Sequence, residues 1–173
     1  MMTTNYAELP GIALAYRQHG AGANLILLHG NSESKSLFKR YQTRVFPDFR
    51  TFAIDSRGHG QSRSEDDAYS IEGYADDVIA FCEKLGIDRA AVIGFSDGGN
   101  VALWLGRKKP EVFTDIVAVS PNYLASGLTD GTIALIRTMR RLFSFLASVG
   151  FPAHRSVMKM DLMLKDIGLS SND

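Results

Sequence analysis

The sequence predicts an α/β fold: a mostly parallel sheet with helices on both faces. Three observations carry that expectation. Short, almost wholly apolar runs recur, namely Leu25-Ile26-Leu27-Leu28, Thr51-Phe52-Ala53-Ile54, Ala90-Ala91-Val92-Ile93 and Ile116-Val117-Ala118-Val119. A strand with one wet face alternates in polarity, whereas a strand covered on both faces does not, so these runs read as parallel strands. Between them lie stretches whose apolar residues recur at amphipathic-helix spacing. Glycine-rich loops follow the first three runs, and strands separated by helices at this rhythm make βαβ units.

In chain order, residues 12–18 alternate as a strand, with residues 5–8 as a hairpin partner across Leu9-Pro10-Gly11. Gly20-Ala21-Gly22-Ala23 turns the chain into the run at 25–28. Residues 34–45 carry Leu37, Phe38, Tyr41 and Val45 at helical spacing, and Pro47 closes that helix. Ser70 is placed to cap the next helix, whose apolar face is Ile71, Tyr74, Ala75, Val78, Cys82 and Leu85, with Gly86 as its stop. The run at 90–93 leads through a glycine-rich turn into Val101-Ala102-Leu103-Trp104-Leu105, a helix halted by Pro110. A further buried strand covers 115–120.

After Pro121 the pattern changes. Ile133, Ile136, Met139, Phe143, Leu146 and Val149 mark one face of a long helix, and a second helix is expected from about 153 to 165. The expected division is a core over 1–121 and a helical lid or cap over 122–173.

Bulk composition narrows the function classes. Nineteen basic side chains balance nineteen acidic ones, so neither nucleic acid nor an anionic membrane is indicated as partner. No apolar run approaches the roughly 20 residues that span a bilayer, and the polar start Met1-Met2-Thr3-Thr4-Asn5 lacks a secretion signal. The one cysteine, Cys82, cannot close an internal disulfide, which fits a reducing, cytoplasmic compartment. His29, Asp55 and His59 lack a recognised metal-ligand spacing, and the glycines form neither a G-x-G-x-x-G nor a P-loop, so no metal or cofactor is expected.

The chemistry centres on Gly94-Phe95-Ser96-Asp97-Gly98-Gly99, a G-x-S-x-G between a strand and a helix. A serine at a sharp strand-to-helix turn crowds its neighbours, so Gly94 and Gly98 stand where a Cβ has no room. In an open parallel sheet, reactive groups collect beyond the carboxyl ends of the strands. Three loops sit there: His29-Gly30-Asn31, Asp55 to Ser62, and Phe95 to Gly99.

Together, H-G-N, D-S-R-G-H-G-Q-S and G-F-S-D-G-G resemble the α/β-hydrolase superfamily over most of residues 25–120. The resemblance implies Ser96 as nucleophile and an oxyanion hole from the backbone N–H groups of Asn31 and Asp97. It implies structural roles for His29, Gly30, Gly94, Gly98, Gly99 and His59, and for Asp55 a role in bonding loop amides. In the superfamily an acid and a histidine follow the serine, on loops after two further strands. The chain carries neither strand after residue 120, so it resembles the first two-thirds of a complete hydrolase. Asp130 and His154 keep the right order but lack strand ends to position them.

The expected activity is acyl hydrolysis of a small ester or related substrate through a Ser96 acyl-enzyme. The rival expectation is a catalytically silent or truncated member that keeps the pocket and cannot turn over. An apolar edge at Ile116-Val117-Ala118-Val119 would also invite strand pairing, hence a homodimer.

Overall fold

The structure is a computed structural model that describes residues 3–66, 68–121, 130–148 and 161. The chain divides into two compact units, Met1–Pro121 and Asn122–Asp173.

The first unit is built on one mixed sheet. Its strands are β1 (Asn5–Leu9), β2 (Ile12–His19), β3 (Ala23–Leu28), β4 (Phe49–Ile54), β5 (Arg63–Ser64), β6 (Ala90–Phe95) and β7 (Phe113–Val119), in the order β1-β2-β4-β3-β6-β7, with β5 paired to β2. The four apolar runs are the four parallel strands: β3 pairs with β4 and β6, and β6 with β7. The antiparallel part is the hairpin β1–β2, which turns at Gly11 with φ 72° and joins β4 through β2.

Both sheet faces are covered. Side chains alternate along a strand, and Leu25, Leu27 and Ala53 cluster on one face with Phe38, Phe46 and Phe49. Phe38 comes from a 3-10 turn (Lys35–Phe38) that leads into α1 (Lys39–Arg44). On the other face Phe81 of α2 (Ile71–Leu85) meets Tyr16 and Phe52 edge-on, at 5.0 and 5.9 Å between ring centroids. There α3 (Asp97–Lys108) buries Val101, Ala102 and Leu105. Helix α2 begins and ends on its sequence signals. The Ser70 hydroxyl accepts the Gly73 N–H at 2.9 Å, and Gly86 closes the helix at φ 63°.

Two expectations need correction. The helix over 34–45 is a 3-10 turn followed by a short α1, and of its apolar set only Phe38 is buried, while Leu37, Tyr41 and Val45 are exposed. Side chains in a 3-10 turn repeat every three residues rather than about 3.6, so a single helical spacing across the two pieces no longer marks one face. Strand β7 begins at Phe113, and it is not buried along its length: Val117 is 51% exposed. The reason is position, because β7 ends the strand order. The pair β2–β5 had no sequence signal of its own, since two residues are too few to show a period.

In the second unit α4 covers Asp130–Ser148, with Ile136 buried and Leu135, Leu142 and Phe145 exposed. Arg140 bonds Asp161 within the same unit. The expected second helix, Val149 and His154 lie outside the described residues. Among the described residues no helix is long and apolar enough to cross a membrane.

Candidate active site

Strand β6 ends at Phe95 and α3 begins at Asp97, so Ser96 alone makes the turn. Its backbone sits at φ 53° and ψ −118°, a combination open to glycine and strained for a residue with a Cβ. Neighbouring bonds hold it there. The Ser96 N–H donates to the Val119 carbonyl at 2.9 Å, and the Ser96 carbonyl accepts from Gly99 and Asn100 at 2.8 and 3.1 Å. Ser96 is half-buried rather than swallowed by the core.

The glycines around the turn are fixed by contact distance. A Cβ on Gly94 would stand 2.0 Å from the Gly98 carbonyl oxygen, and one on Gly98 would stand 2.3 Å from that of Leu28. Gly99 is less crowded, with its nearest neighbour at 3.3 Å. On the facing loop, a Cβ on Gly30 would lie 3.0 Å from the Ser96 Cβ. The H-G-N loop after β3 therefore rests against the Ser96 turn.

That loop is itself tightly bent. The Gly30 N–H donates to Glu33 Oε2 at 3.0 Å, the Glu33 N–H returns to the Gly30 carbonyl at 3.3 Å, and Ser32 has φ 63°. The Ser32 hydroxyl donates to Asn31 Oδ1 at 2.9 Å. The Asp97 carboxyl is buried, at 6% exposed. Burial pushes that carboxyl up to about 6, and the nearby Asn31 side chain pulls the other way. The Asp97 N–H precedes the first main-chain bond of α3, at the end of the helix where N–H groups carry partial positive charge.

His29 is buried, with both ring nitrogens on main-chain atoms. Nε2 accepts the Ser56 N–H at 3.1 Å, so the proton is on Nδ1, which donates to the Gly30 carbonyl at 2.7 Å. His59 packs 5.2 Å from it and donates through Nδ1 to the Arg57 carbonyl at 2.9 Å. Asp55 is fully buried and gathers three donors: the Lys35 N–H at 2.6 Å, Lys35 Nζ at 2.5 Å and the Gln61 N–H at 2.8 Å. Arg57 ties the same loop to α2 through a bidentate pair with Asp77, at 3.0 and 2.8 Å.

Lys35 is the residue that sequence reading missed. It is 4% exposed and pairs with Asp55, while its carbonyl accepts from Arg17 Nη2 at 2.6 Å. Arg17 in turn reaches Gln42, whose amide bonds the Arg17 carbonyl and Thr51. A lysine in the first turn of a helix reads as solvated from sequence, and only the tertiary pairing makes it a buried partner. Asp130 opens α4 in the second unit and is exposed. Among the described residues no three His, Cys, Asp or Glu side chains gather as a metal site would require.

A family model for the alpha/beta hydrolase fold matches residues 23–155. The chain belongs to that family. This alpha/beta hydrolase is 27% identical over 143 residues to 2-(acetamidomethylene)succinate hydrolase of Mesorhizobium japonicum, covering 82% of itself and 51% of the relative. It is 36% identical over 99 residues to bifunctional epoxide hydrolase 2 of Sus scrofa, covering 55% of itself and 18% of that protein. Among solved structures it is similar to a mutant of the N-acyl homoserine lactonase AidH complexed with N-hexanoyl homoserine lactone, at 33% identity and a TM-score of 0.60, over 64% of this chain and 43% of that one. It is similar to an N-acyl homoserine lactone degrading enzyme at 26% identity and a TM-score of 0.68, over 97% of this chain and 68% of that one. The chain spans about half, or less, of the length of the curated relatives it matches first.

Proposed function

We propose that this alpha/beta hydrolase hydrolyses a small carboxylic ester or lactone through an acyl-enzyme on Ser96. The observation that carries the reading is the strained Ser96 backbone with Gly30 packed against its Cβ. Strain of this kind persists only where surrounding contacts over-determine it, and it clusters at functional sites. The substrate class rests on relatives whose names include a lactonase and an esterase.

In the proposed reaction, Ser96 Oγ attacks the carbonyl carbon and gives its proton to a general base. The Oγ–C bond forms, the bond to the leaving oxygen breaks, and that oxygen takes up a proton. Water then releases the acid and regenerates the serine. The main-chain N–H groups of Asn31 and Asp97 would receive the oxyanion, each contributing about 3 kcal/mol to the transition state. They suit the task because they are rigid and carry no charge that must be reorganised.

Release of p-nitrophenol from short-chain p-nitrophenyl esters, and ring opening of a γ-lactone followed by proton release, test the reading directly. We expect both to fall by at least a hundredfold in Ser96→Ala. Turnover that survives in Ser96→Ala at the wild-type rate would exclude it. A second reading, a chain that binds and acylates without turnover, is favoured by the commitment of His29 to main-chain partners. Stoichiometric acylation without steady-state release would select it.

A further inference from the structure

Gly30 leaves a gap that three groups border. A Cβ there would stand 3.0 Å from the Ser96 Cβ, 3.2 Å from Glu33 Oε2 and 3.3 Å from Phe95 Cδ1. The stem of the serine, a carboxylate oxygen and an aromatic ring therefore meet around one point. We propose that Glu33 and Phe95 form a cation subsite beside Ser96, so that the ester or lactone taken here carries an ammonium group. The inference rests on the acyl-transfer reading of Ser96 and deepens it by naming the charge of the substrate.

The charge of Glu33 is not spent inside the protein. One main-chain donor reaches it, the Gly30 N–H at 3.0 Å from Oε2, whereas an ionised carboxyl offers about four acceptor sites. Among the described residues no Lys, Arg or His side chain pairs with it. The cations of the neighbouring segments are used elsewhere: Lys35 pairs with Asp55, and Arg57 with Asp66 and Asp77. Solvent reaches both members of the subsite. Glu33 is half-buried, and Phe95 is 37% exposed although the rest of its strand is largely covered.

A neutral side chain would brace the bend equally well, because a glutamine at this position presents the same kind of acceptor to the Gly30 N–H. What the carboxylate adds is negative charge beside the serine. By itself that charge opposes acyl transfer, since it repels the oxyanion that forms in the transition state. An ammonium group on the substrate reverses the effect: it neutralises Glu33 in the bound complex and lifts the repulsion as the oxyanion develops. The neighbouring ring suits the same ligand, because the face of an aromatic ring attracts ammonium groups.

Thiol release from matched thioesters reads this preference at the acylation step and needs no later turnover. One pair is acetylthiocholine and its uncharged isostere, in which a carbon replaces the ammonium nitrogen. The second pair carries the same two groups on the acyl arm of an ethyl thioester. The quantity measured is the ratio of rates, charged over neutral, within one protein, so that any shift of the loop cancels. We expect a wild-type ratio of about ten or more in at least one pair, shrinking in about 0.5 M sodium chloride. In Glu33→Gln the ratio should fall to within about twofold of one. Phe95→Leu should lower it about threefold, a check that leaves the carboxylate in place.

A wild-type ratio near one in both pairs overturns the cation subsite and leaves the Ser96 reading standing. A ratio that persists in Glu33→Gln also overturns it, moving the preference to another carboxyl such as that of Asp97. Absence of thiol release from all of the compounds, or release that is unchanged in Ser96→Ala, fails the Ser96 reading itself, and the subsite falls with it.

Discussion

Ser96 occupies a backbone conformation that costs on the order of 1–3 kcal/mol for a residue with a side chain, and its φ of 53° is the most direct residue-level statement about the site. Relief of that strain is measurable. Ser96→Gly should raise the free energy of unfolding by about 1 kcal/mol in urea titration while abolishing ester turnover. An unchanged or lower midpoint would mean that the turn stores no strain. Asp97 makes a separate prediction. Burial raises its carboxyl from 3.8 to about 6, so the folded protein holds this proton more tightly than the unfolded chain. Its contribution therefore favours folding below pH 4 and is lost as pH climbs through about 6, a change on the order of 3 kcal/mol. Asp97→Asn should flatten that decline and be the more stable protein at pH 7.5. Parallel pH profiles for the two proteins between pH 4 and 6 would contradict the assignment.

At the scale of elements, β3, β6 and α3 meet where a Cβ on Gly94 or Gly98 would fall within 2.3 Å of a carbonyl oxygen. Neither obstacle is a flexible side chain, so Gly94→Ala or Gly98→Ala must displace the turn, at a cost of about 3 kcal/mol or more with loss of turnover. Circular dichroism melts together with an ester assay check both effects. The loop after β4 depends instead on a buried charge pair. Lys35→Met leaves Asp55 fully buried with two main-chain donors and only Arg17 as a nearby cation, and should cost about 3 kcal/mol in denaturant titration.

These two elements mark the reach of sequence reading. The Ser96 turn is legible because strand, glycine spacing and helix are all local, within residues 90–105. The α2 boundaries are legible for the same reason, Ser70 and Gly86 being local caps. The Lys35–Asp55–Arg17 network joins residues from three separate segments and leaves no periodic trace. Burial along β7 failed for a related reason: an apolar run states a preference for cover, and whether cover exists depends on which strand lies next to it.

At the scale of the whole molecule, the sheet stops at β7 among the described residues. The Val119 carbonyl faces β6, and alternation along a strand then turns the backbone groups of Ile116 and Ala118 toward the open edge. Beside that edge Val117 and Val119 are 51% and 42% exposed, the combination that invites another strand. Self-association that rises with concentration is the expected behaviour of this chain. Val117→Lys should suppress it in sedimentation velocity without lowering Tm by more than a few degrees. Unchanged association in that variant would place the contact elsewhere.

The claim on which all three scales converge is that Ser96 is presented as a nucleophile beside converging amide hydrogens. Mass spectrometry of the folded protein after brief exposure to a fluorophosphonate measures this most directly. The account predicts a single adduct, on the peptide that contains Ser96, formed faster than on the same chain in urea. A folded chain that carries no adduct, or carries it on another residue, would contradict it.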